Sequence, residues 1–215
     1  MRRVTNYKQT NKIMRQVFTS FVAVAMVVVA VACSGNGVSK SVKVNEAYDN
    51  IMTRTSIRSY TSETISKDTI TLLLKAGMAS PTAVNKQPWK FVAITDRVML
   101  DSIAKAFPYA RFAKQAPLII VPCGDNMNML PGDMAQLWIQ DLSAATENIL
   151  LAANSLGLGA VWCMCYPNYQ LINSLRDIAQ LPSSLTPLCL VVIGHPAQNP
   201  EPKNKWKEEN VLWRE

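Results

Sequence analysis

Hydrophobic positions along most of the chain recur with two spacings, one typical of helices and the other of strands. Apolar residues three or four positions apart predict a helix, whereas alternation or a short unbroken run predicts a strand. By these criteria helices are predicted at 45–54, 66–79, 97–107, 133–156 and 168–179, and strands at 89–95, 117–123, 160–165 and 188–194. Because helices and strands are interspersed, the pattern predicts an α+β domain with a sheet wrapped by helices.

The segments between these elements contain residues typical of helix ends and turns. Ser66 precedes a predicted helix and is its expected N-cap. Pro81 and Pro88 bracket a loop, and residues 54–60 form a β-branched, extended segment. The second half of the longest helix is rich in Ala, which allows close packing, so we expect that helix to be central. Residues 200–215 form a polar tail that contains two Trp.

An almost wholly apolar run over residues 17–32 sets the N-terminus apart from the rest of the chain. It follows basic residues and ends in small residues before Cys33, which is the three-part layout of an export signal. The run is shorter than the roughly 20 residues that a membrane-spanning helix needs. Residues 30–33, Ala-Val-Ala-Cys, resemble a bacterial lipobox, which implies that Cys33 is lipidated and becomes the new N-terminus.

This interpretation divides the chain into a lipoprotein-type signal peptide at 1–32, a flexible tether at 33–45 and a folded domain at 46–215. It predicts an exported protein of the cell envelope that is held at a membrane through the lipid on Cys33. A plain signal peptide and an uncleaved anchor helix are the alternatives. Met14 is an alternative start of the chain.

The positive charge of the chain is concentrated in the same N-terminal part. The whole chain has 22 Lys and Arg against 15 Asp and Glu, a net charge of +7. Five of the basic residues precede Glu46, the first acidic residue, which leaves 17 against 15, or +2, for the remainder. A nucleic-acid-binding domain needs its basic excess in the folded part, so the pattern predicts no nucleic-acid partner.

Several common kinds of catalytic site are absent from the sequence. His195 is the sole histidine, and it precedes Pro196 at the end of a predicted strand, where a turn explains it as well as a site does. The sequence has no phosphate-binding loop of the G-x-x-x-x-G-K-[ST] type and no zinc-ligand spacing. If the protein is an enzyme, we expect a bound cofactor to carry the chemistry, with no catalytic side chain and no metal.

Four cysteines follow Cys33: Cys123, Cys163, Cys165 and Cys189. In an exported chain they could form disulfides, although small buried core residues are the preferred interpretation. Cys163 and Cys165 stand two apart in a predicted strand, where their Cα atoms would be too far apart for an easy bridge. Thiol redox chemistry at this pair is the weakest alternative function, because neither a C-x-x-C spacing nor a basic neighbour is present.

Residues 54–58, Arg-Thr-Ser-Ile-Arg, are the first indication of a ligand site. Alternate residues of an extended segment share one side, so Arg54, Ser56 and Arg58 would point the same way. Two guanidinium groups and a hydroxyl suit a phosphate dianion, because Arg offers bidentate, charge-assisted hydrogen bonds. A solvated charged edge is the other explanation of this pattern.

Residues 79–89, Ala-Ser-Pro-Thr-Ala-Val-Asn-Lys-Gln-Pro-Trp, are the second indication. Small residues allow a planar ring to lie against the backbone, and the amides of Asn85 and Gln87 can both donate and accept hydrogen bonds. An ordinary connection between a helix and a strand is the alternative, although this segment is long for one.

Together with residues 141–162 and 193–196, these two segments resemble the nitroreductase family of FMN-dependent oxidoreductases in both order and spacing. The resemblance extends from about Glu46 to Trp213. It implies an α+β fold with a central, mostly antiparallel sheet wrapped by helices. It also implies an intertwined homodimer with one FMN per subunit, bound in clefts at the dimer interface.

Carried over by position, the resemblance implies four sets of cofactor-binding residues. The FMN phosphate and ribityl chain would contact Arg54, Thr55, Ser56 and Arg58, with Lys205 as a further phosphate ligand. The flavin ring would be bordered from the partner subunit by Pro81, Thr82 and Ala83. The amide side chains near the flavin would be Asn85 and Gln87. The flavin edge, where the family often has a glycine pair, would face Trp162, Cys163 and Met164.

The activity implied by the resemblance is a two-step transfer at one site. NAD(P)H would reduce the flavin and leave, and a nitroaromatic, quinone or similar small acceptor would take its place. A lipid-anchored flavin-binding electron carrier that does not use NAD(P)H is the alternative, because soluble pyridine nucleotide is scarce outside the cytoplasm. If residues 1–32 are not an export signal, an ordinary cytoplasmic reductase becomes the better interpretation.

Overall fold

Residues 45–215 are described by the structure, a computed structural model. The predicted signal peptide, the predicted lipidation site Cys33 and nearly all of the predicted tether lie outside these residues. The helices are α1 (Glu46–Thr53), α2 (Lys67–Met78), α3 (Arg97–Ala106), α4 (Leu137–Ser155) and α5 (Tyr169–Ala179). The strands are β1 (Trp89–Ile94), β2 (Leu118–Asp125), β3 (Gly159–Met164), β4 (Leu185–Pro187) and β5 (Cys189–Gly194). Within residues 45–215, no helix is long and apolar enough to cross a membrane.

The five strands form one antiparallel sheet in the order β1-β2-β5-β3, with β4 paired to β2. Residues 118–120 of β2 pair with β5, and residues 123–125 of the same strand pair with β4. Every residue of β5 is buried, which explains why this strand is an unbroken apolar run in the sequence. The predicted α+β fold with a mostly antiparallel sheet is confirmed.

Helices cover both faces of the sheet. Because side chains alternate between the two faces along each strand, a single strand contributes residues to the core on either side. Ile119 and Val121 of β2 face the core formed with α3 and α5. Leu118 and Ile120 of the same strand face the core formed with α2 and α4. The sheet is therefore the middle layer of three.

The long helix α4 lies close to its neighbour α2, as its small residues predict. Ala145 and Ala153 are fully buried. A Cβ added to Gly77 of α2 would stand 3.0 Å from the Ile149 side chain and 3.4 Å from the Ala145 carbonyl oxygen. The Ala-rich half of α4 therefore permits the close helix packing that the sequence predicted.

Four helices begin at side chains that accept hydrogen bonds from the backbone of the first turn. These N-cap residues are Asn45, Ser66, Asp96 and Asn168. Ser66 Oγ accepts from the Thr69 N–H at 3.1 Å, which confirms the predicted cap. Helix α4 differs, because Gln136 precedes it without a side-chain hydrogen bond to the helix.

Most predicted elements are present within about two residues of their expected bounds, but the start of α4 was wrong. The prediction began the helix at residue 133, and the structure begins it at Leu137. Gly132 has a φ of +61°, and Gly132–Met134 forms a separate 3-10 turn that interrupts the helical path.

The sequence analysis also missed two short elements. Pro108–Gln115 forms 3-10 turns with a kink at Ala110, and β4 has only three residues. Three residues are too few to show the period of a strand, and the sequence analysis assigned 108–115 to no element.

Candidate cofactor-binding site

Residues 54–58 leave α1 and lie along the edge strand β3. Ser56 forms a parallel bridge with Ala160, and the Ile57 N–H donates to the Ala160 carbonyl at 3.1 Å. Ile57 is buried, whereas Arg54, Ser56 and Arg58 keep part of their surface accessible. Thr55 is partly accessible as well, so Ile57 is the buried residue of this segment.

Gly159 makes this contact between the segment and β3 possible. A Cβ on Gly159 would lie 2.6 Å from Ile57 Cγ2 and 2.7 Å from Ile57 Cβ. Those distances are well inside van der Waals contact, so a larger residue at 159 would push Ile57 away. The position of Arg54, Ser56 and Arg58 thus depends on a glycine about a hundred residues further along the chain.

The other end of the segment is held by the residues that follow β5. Tyr60 is bridged to Pro196, the Thr61 N–H donates to the His195 carbonyl at 2.9 Å, and the Ala197 N–H donates to the Ser59 carbonyl at 2.9 Å. The Tyr60 hydroxyl lies against the Ile57 and Val192 carbonyls. Burial raises the pKa of Tyr60 far above its usual value, so this hydroxyl remains a donor.

His195 has a local structural explanation. Its Nε2 lies 3.6 Å from Glu63 Oε1, and its carbonyl receives the Thr61 N–H. His195 lines neither of the two cavities described below. Of the two explanations that the sequence left open, the structure favours the turn.

A cavity of about 810 Å³ lies where residues 54–58 meet α1 and the C-terminal tail. Its walls bring together the predicted phosphate ligands, which are Arg54, Thr55, Ser56, Arg58 and Lys205. Two guanidinium groups, an ammonium group and two hydroxyls form a donor set that matches a phosphate dianion. Pairing with β3 positions the arginines, and the tail brings Lys205 to the same cavity.

The two arginines of this cavity have different surroundings. Arg54 Nε forms an ion pair with Glu147 Oε1 of α4 at 3.3 Å, and the Arg54 side chain is 19% exposed. Arg58 is more exposed, and it takes part in none of the ion pairs found among residues 45–215. Glu147 therefore orients Arg54, whereas the charge of Arg58 remains available to a ligand.

A second cavity, of about 210 Å³, lies on the other side of Arg58. The predicted flavin-edge residues Trp162, Cys163 and Met164 line it together with residues 107–110 and Leu171. Arg58 therefore lines both cavities and connects the phosphate ligands to the flavin-edge residues. The sequence analysis missed residues 107–110 as cavity residues, because no motif marks the turns that follow the predicted helix at 97–107.

Cys163 is the cysteine that reaches this second cavity. Burial raises the pKa of the Cys163 thiol to about 11, although the nearby Arg58 charge acts in the opposite direction. The thiol is therefore protonated near neutral pH, which argues against thiol redox chemistry here.

The remaining cysteines behave as core residues. Cys123, Cys165 and Cys189 are buried, and all four described cysteines are free thiols. Among residues 45–215, no cluster of three or more His, Cys, Asp and Glu side chains could hold a metal ion.

The loop after α2 has an unusual backbone. Val84, Asn85 and Gln87 have φ angles of 46°, 53° and 52°, in the left-handed region that residues other than glycine rarely adopt. Gln87 Nε2 donates to Asn85 Oδ1 at 2.9 Å. Strained backbone of this kind is concentrated at functional sites.

The predicted ligands of this loop do not line either cavity of their own subunit. These residues are Pro81, Thr82, Ala83, Asn85 and Gln87, and both cavities are formed by other described residues. The resemblance assigned Pro81, Thr82 and Ala83 to the site of a partner subunit. Within one subunit, the two cavities thus contain two of the four sets of predicted ligands.

A layered α+β domain with an Arg- and Lys-lined cavity beside an edge strand is suited to a cofactor that carries one phosphate. The sequence model of the Nitroreductase family matches residues 51–195. The chain belongs to the nitroreductase family.

Three similar proteins illustrate this relationship. An Archaeoglobus fulgidus protein assigned as an NADH dehydrogenase/NAD(P)H nitroreductase is 41% identical over 154 residues, covering 71% of this chain and 87% of its own. The crystal structure of a Bacteroides thetaiotaomicron protein with the same assignment has a TM-score of 0.75 and 41% identity, covering 80% of this chain and 98% of its own. A nitroreductase-like structure from Desulfovibrio desulfuricans, in complex with FMN, has a TM-score of 0.69 and 32% identity, covering 80% and 99%.

Proposed function

We propose that this protein is an FMN-dependent NAD(P)H oxidoreductase that reduces a nitroaromatic, a quinone or a similar small acceptor. The observation that carries the proposal is the position of Arg58, which lines both the phosphate-type cavity and the cavity beside Trp162–Met164. Membership of the nitroreductase family and the FMN held by the Desulfovibrio desulfuricans relative support it. The assignment of the Archaeoglobus fulgidus relative supports NAD(P)H as the donor.

The donor set of the larger cavity fits FMN. Arg54, Arg58 and Lys205 carry positive charge, which matches one phosphate dianion, and Thr55 and Ser56 add hydroxyls for the phosphate or the ribityl chain. The smaller cavity is lined mainly by apolar and aromatic side chains, which suits a flat ring system. The residues present therefore fit a single-phosphate flavin.

When bound, FMN would supply the hydride-transfer chemistry between NAD(P)H and the acceptor, and we propose that the two substrates use one site in turn, in a ping-pong reaction. Arg54 and Arg58 bind the phosphate in this scheme, and Glu147 keeps the Arg54 guanidinium oriented. Trp162 and Met164 line the smaller cavity and would border the ring there. We assign no catalytic acid or base to the chain. Among the described residues, the titratable side chains that line the smaller cavity are Arg58, Tyr109 and Cys163, and the raised pKa keeps the Cys163 thiol protonated near neutral pH.

A homodimer completes the proposed site. The loop at 81–87 does not line the two cavities of its own subunit, and in this proposal a second copy supplies it. The tail leaves Leu212 and Trp213 exposed, 78% and 64% respectively, which suits apolar contact with that copy. Sedimentation of a form without residues 1–33 should give about twice the monomer mass, and a monomer that binds flavin tightly would exclude the shared site.

We further propose that the protein is exported and anchored to an envelope membrane through a lipid on Cys33. The support is the sequence pattern of residues 1–33 and the small charge of the remainder, which leaves little electrostatic attraction to a membrane. If so, a flavin-binding electron carrier that does not use NAD(P)H is the second candidate function, since the usual donor is scarce outside the cytoplasm.

Anaerobic titration of the purified protein with NADH and NADPH, followed by flavin absorbance, separates the two functions. Bleaching by either nucleotide, and re-oxidation by added quinone or nitroaromatic, is the result expected of the reductase. A bound yellow flavin that neither nucleotide bleaches would support the carrier. Mass analysis of the heat-released cofactor should give FMN, and FAD as the main species would contradict the proposed phosphate site.

A further inference from the structure

Helix α4 buries a carboxylate that the fold itself does not require. The Asp141 side chain is 7% exposed, within a helix whose other buried positions are mostly apolar. None of the ion pairs among residues 45–215 includes Asp141. Burying a charge without a cation costs stability, so packing alone would be better served by an apolar residue.

The hydrogen bond found for the Asp141 side chain among the described residues leads to the loop after α2. Ala83 N–H donates to Asp141 Oδ1 at 2.9 Å. Ala83 directly precedes Val84 and Asn85, two of the three loop residues in the left-handed region. The carboxylate therefore holds the loop at the residue where its strained part begins.

A second tether holds the other end of the same loop. Asn128 Nδ2 donates to the carbonyls of Lys86 at 3.0 Å and Gln87 at 3.2 Å. Within the loop, the Gln87 N–H donates to Thr82 Oγ1 at 3.1 Å. A strained backbone conformation persists only where several surrounding contacts hold it in place. Among these contacts, Asp141 supplies the carboxylate.

We propose that Asp141 is a positioning residue, whose carboxylate holds the loop at 81–87 in the shape that meets the flavin of a second subunit. This inference rests on the proposed function, because the loop needs a flavin to meet. Asp141 acts through the Ala83 N–H and does not itself contact the cofactor. Without it, Ala83 N–H loses its partner, and Val84 can return to the right-handed region and carry Asn85 with it.

The test compares three variants of the full chain with the wild type. Asp141→Ala removes the acceptor, whereas Asp141→Asn keeps an oxygen that can accept from Ala83. Asn148→Ala is the matched control, because Asn148 lies on the same helix and its Nδ2 donates to another backbone group, the Ala76 carbonyl at 3.1 Å. Each protein is measured for amide hydrogen exchange over 83–87, for FMN affinity, and for kcat and KM with a quinone.

Asp141→Ala should speed exchange of the loop amides at least tenfold and weaken FMN binding about tenfold, equivalent to about 1.4 kcal/mol. Asp141→Asn should recover most of both effects, and Asn148→Ala should show neither. Loop exchange like that of the wild type in Asp141→Ala would overturn the proposal, and so would faster exchange with unchanged FMN affinity and unchanged KM. Equal effects in Asp141→Ala and Asn148→Ala would reduce Asp141 to a general stabilising residue.

A variant on the loop side keeps the test decisive if Asp141→Ala does not fold. Ala83→Pro removes the donating N–H, and Thr82 before it has the extended backbone that a following proline requires (φ −137°, ψ 155°). It should reproduce the faster exchange at amides 85–87, and protection like that of the wild type there would overturn the proposal. A wild type that binds no FMN would instead refute the proposed function, and the exchange data would still decide whether Asp141 holds the loop.

Discussion

Replacing Arg58 with Ala tests the site most directly, because Arg58 is the residue that lines both cavities. Its side chain is exposed and forms no ion pair within residues 45–215. The substitution therefore leaves no buried partner unsatisfied, and we expect the free energy of unfolding of the flavin-free protein to change by less than about 0.5 kcal/mol. Arg54 is a less clean target, because its removal would also release Glu147.

The expected loss of FMN affinity follows from the phosphate contact. A hydrogen bond to a charged group is typically worth about 1.5–3 kcal/mol, and each 1.4 kcal/mol is a factor of ten in Kd. Arg58→Ala should therefore raise the Kd for FMN about 10- to 100-fold. The Kd of Arg58→Lys should lie between those of the wild type and Arg58→Ala, because lysine keeps the charge but loses the bidentate geometry.

Quenching of FMN fluorescence on titration with flavin-free protein measures this Kd. Arg111→Ala is the matched control, because Arg111 is exposed and lines neither cavity. The difference between wild type and Arg58→Ala should also shrink as salt is added, since the contact is electrostatic. Affinity in Arg58→Ala equal to that of the wild type, or an equal loss in Arg111→Ala, would remove Arg58 from the phosphate site.

Three further predictions concern other parts of the chain. Gly159→Ala places a Cβ within 2.6 Å of Ile57, so it should lower the free energy of unfolding by about 1–3 kcal/mol and weaken FMN retention. Urea titration measures the stability, and an unchanged urea midpoint would contradict the close approach. The pKa of Cys163 is raised to about 11, so its alkylation by iodoacetamide should be slow at pH 8 and rise about tenfold per pH unit toward pH 11, whereas a full rate at pH 8 would refute that shift. Cys33→Ser should release the protein from the membrane fraction of a bacterial host. If the wild type and the variant both stay in the cytoplasm with residues 1–32 attached, those residues are not an export signal.

The α+β architecture was predictable from the sequence because its elements have local signatures. Burial on both faces makes β5 an unbroken apolar run, and the side chain of Ser66 caps the first turn of its own helix. Helix α4 shows the limit of such signals, because the predicted helix started at residue 133, within the 3-10 turn at Gly132–Met134, four residues before the helix begins at Leu137. The 3-10 turns at Pro108–Gln115 were not predicted.

The candidate site, like the fold, could be predicted from the sequence only in part. Alternation in an extended segment predicted that Arg54, Ser56 and Arg58 would point to one side, because that prediction needs only the backbone of five consecutive residues. In the structure these residues line one cavity together with Thr55. Contacts between distant parts of the chain decided the rest: Gly159 lets the segment lie against β3, the tail brings Lys205 to the arginines, and Asp141 holds the loop at Ala83. No local pattern encodes these contacts, because each depends on how whole elements pack, and packing is set by the three-dimensional arrangement of the sheet and its two helical layers.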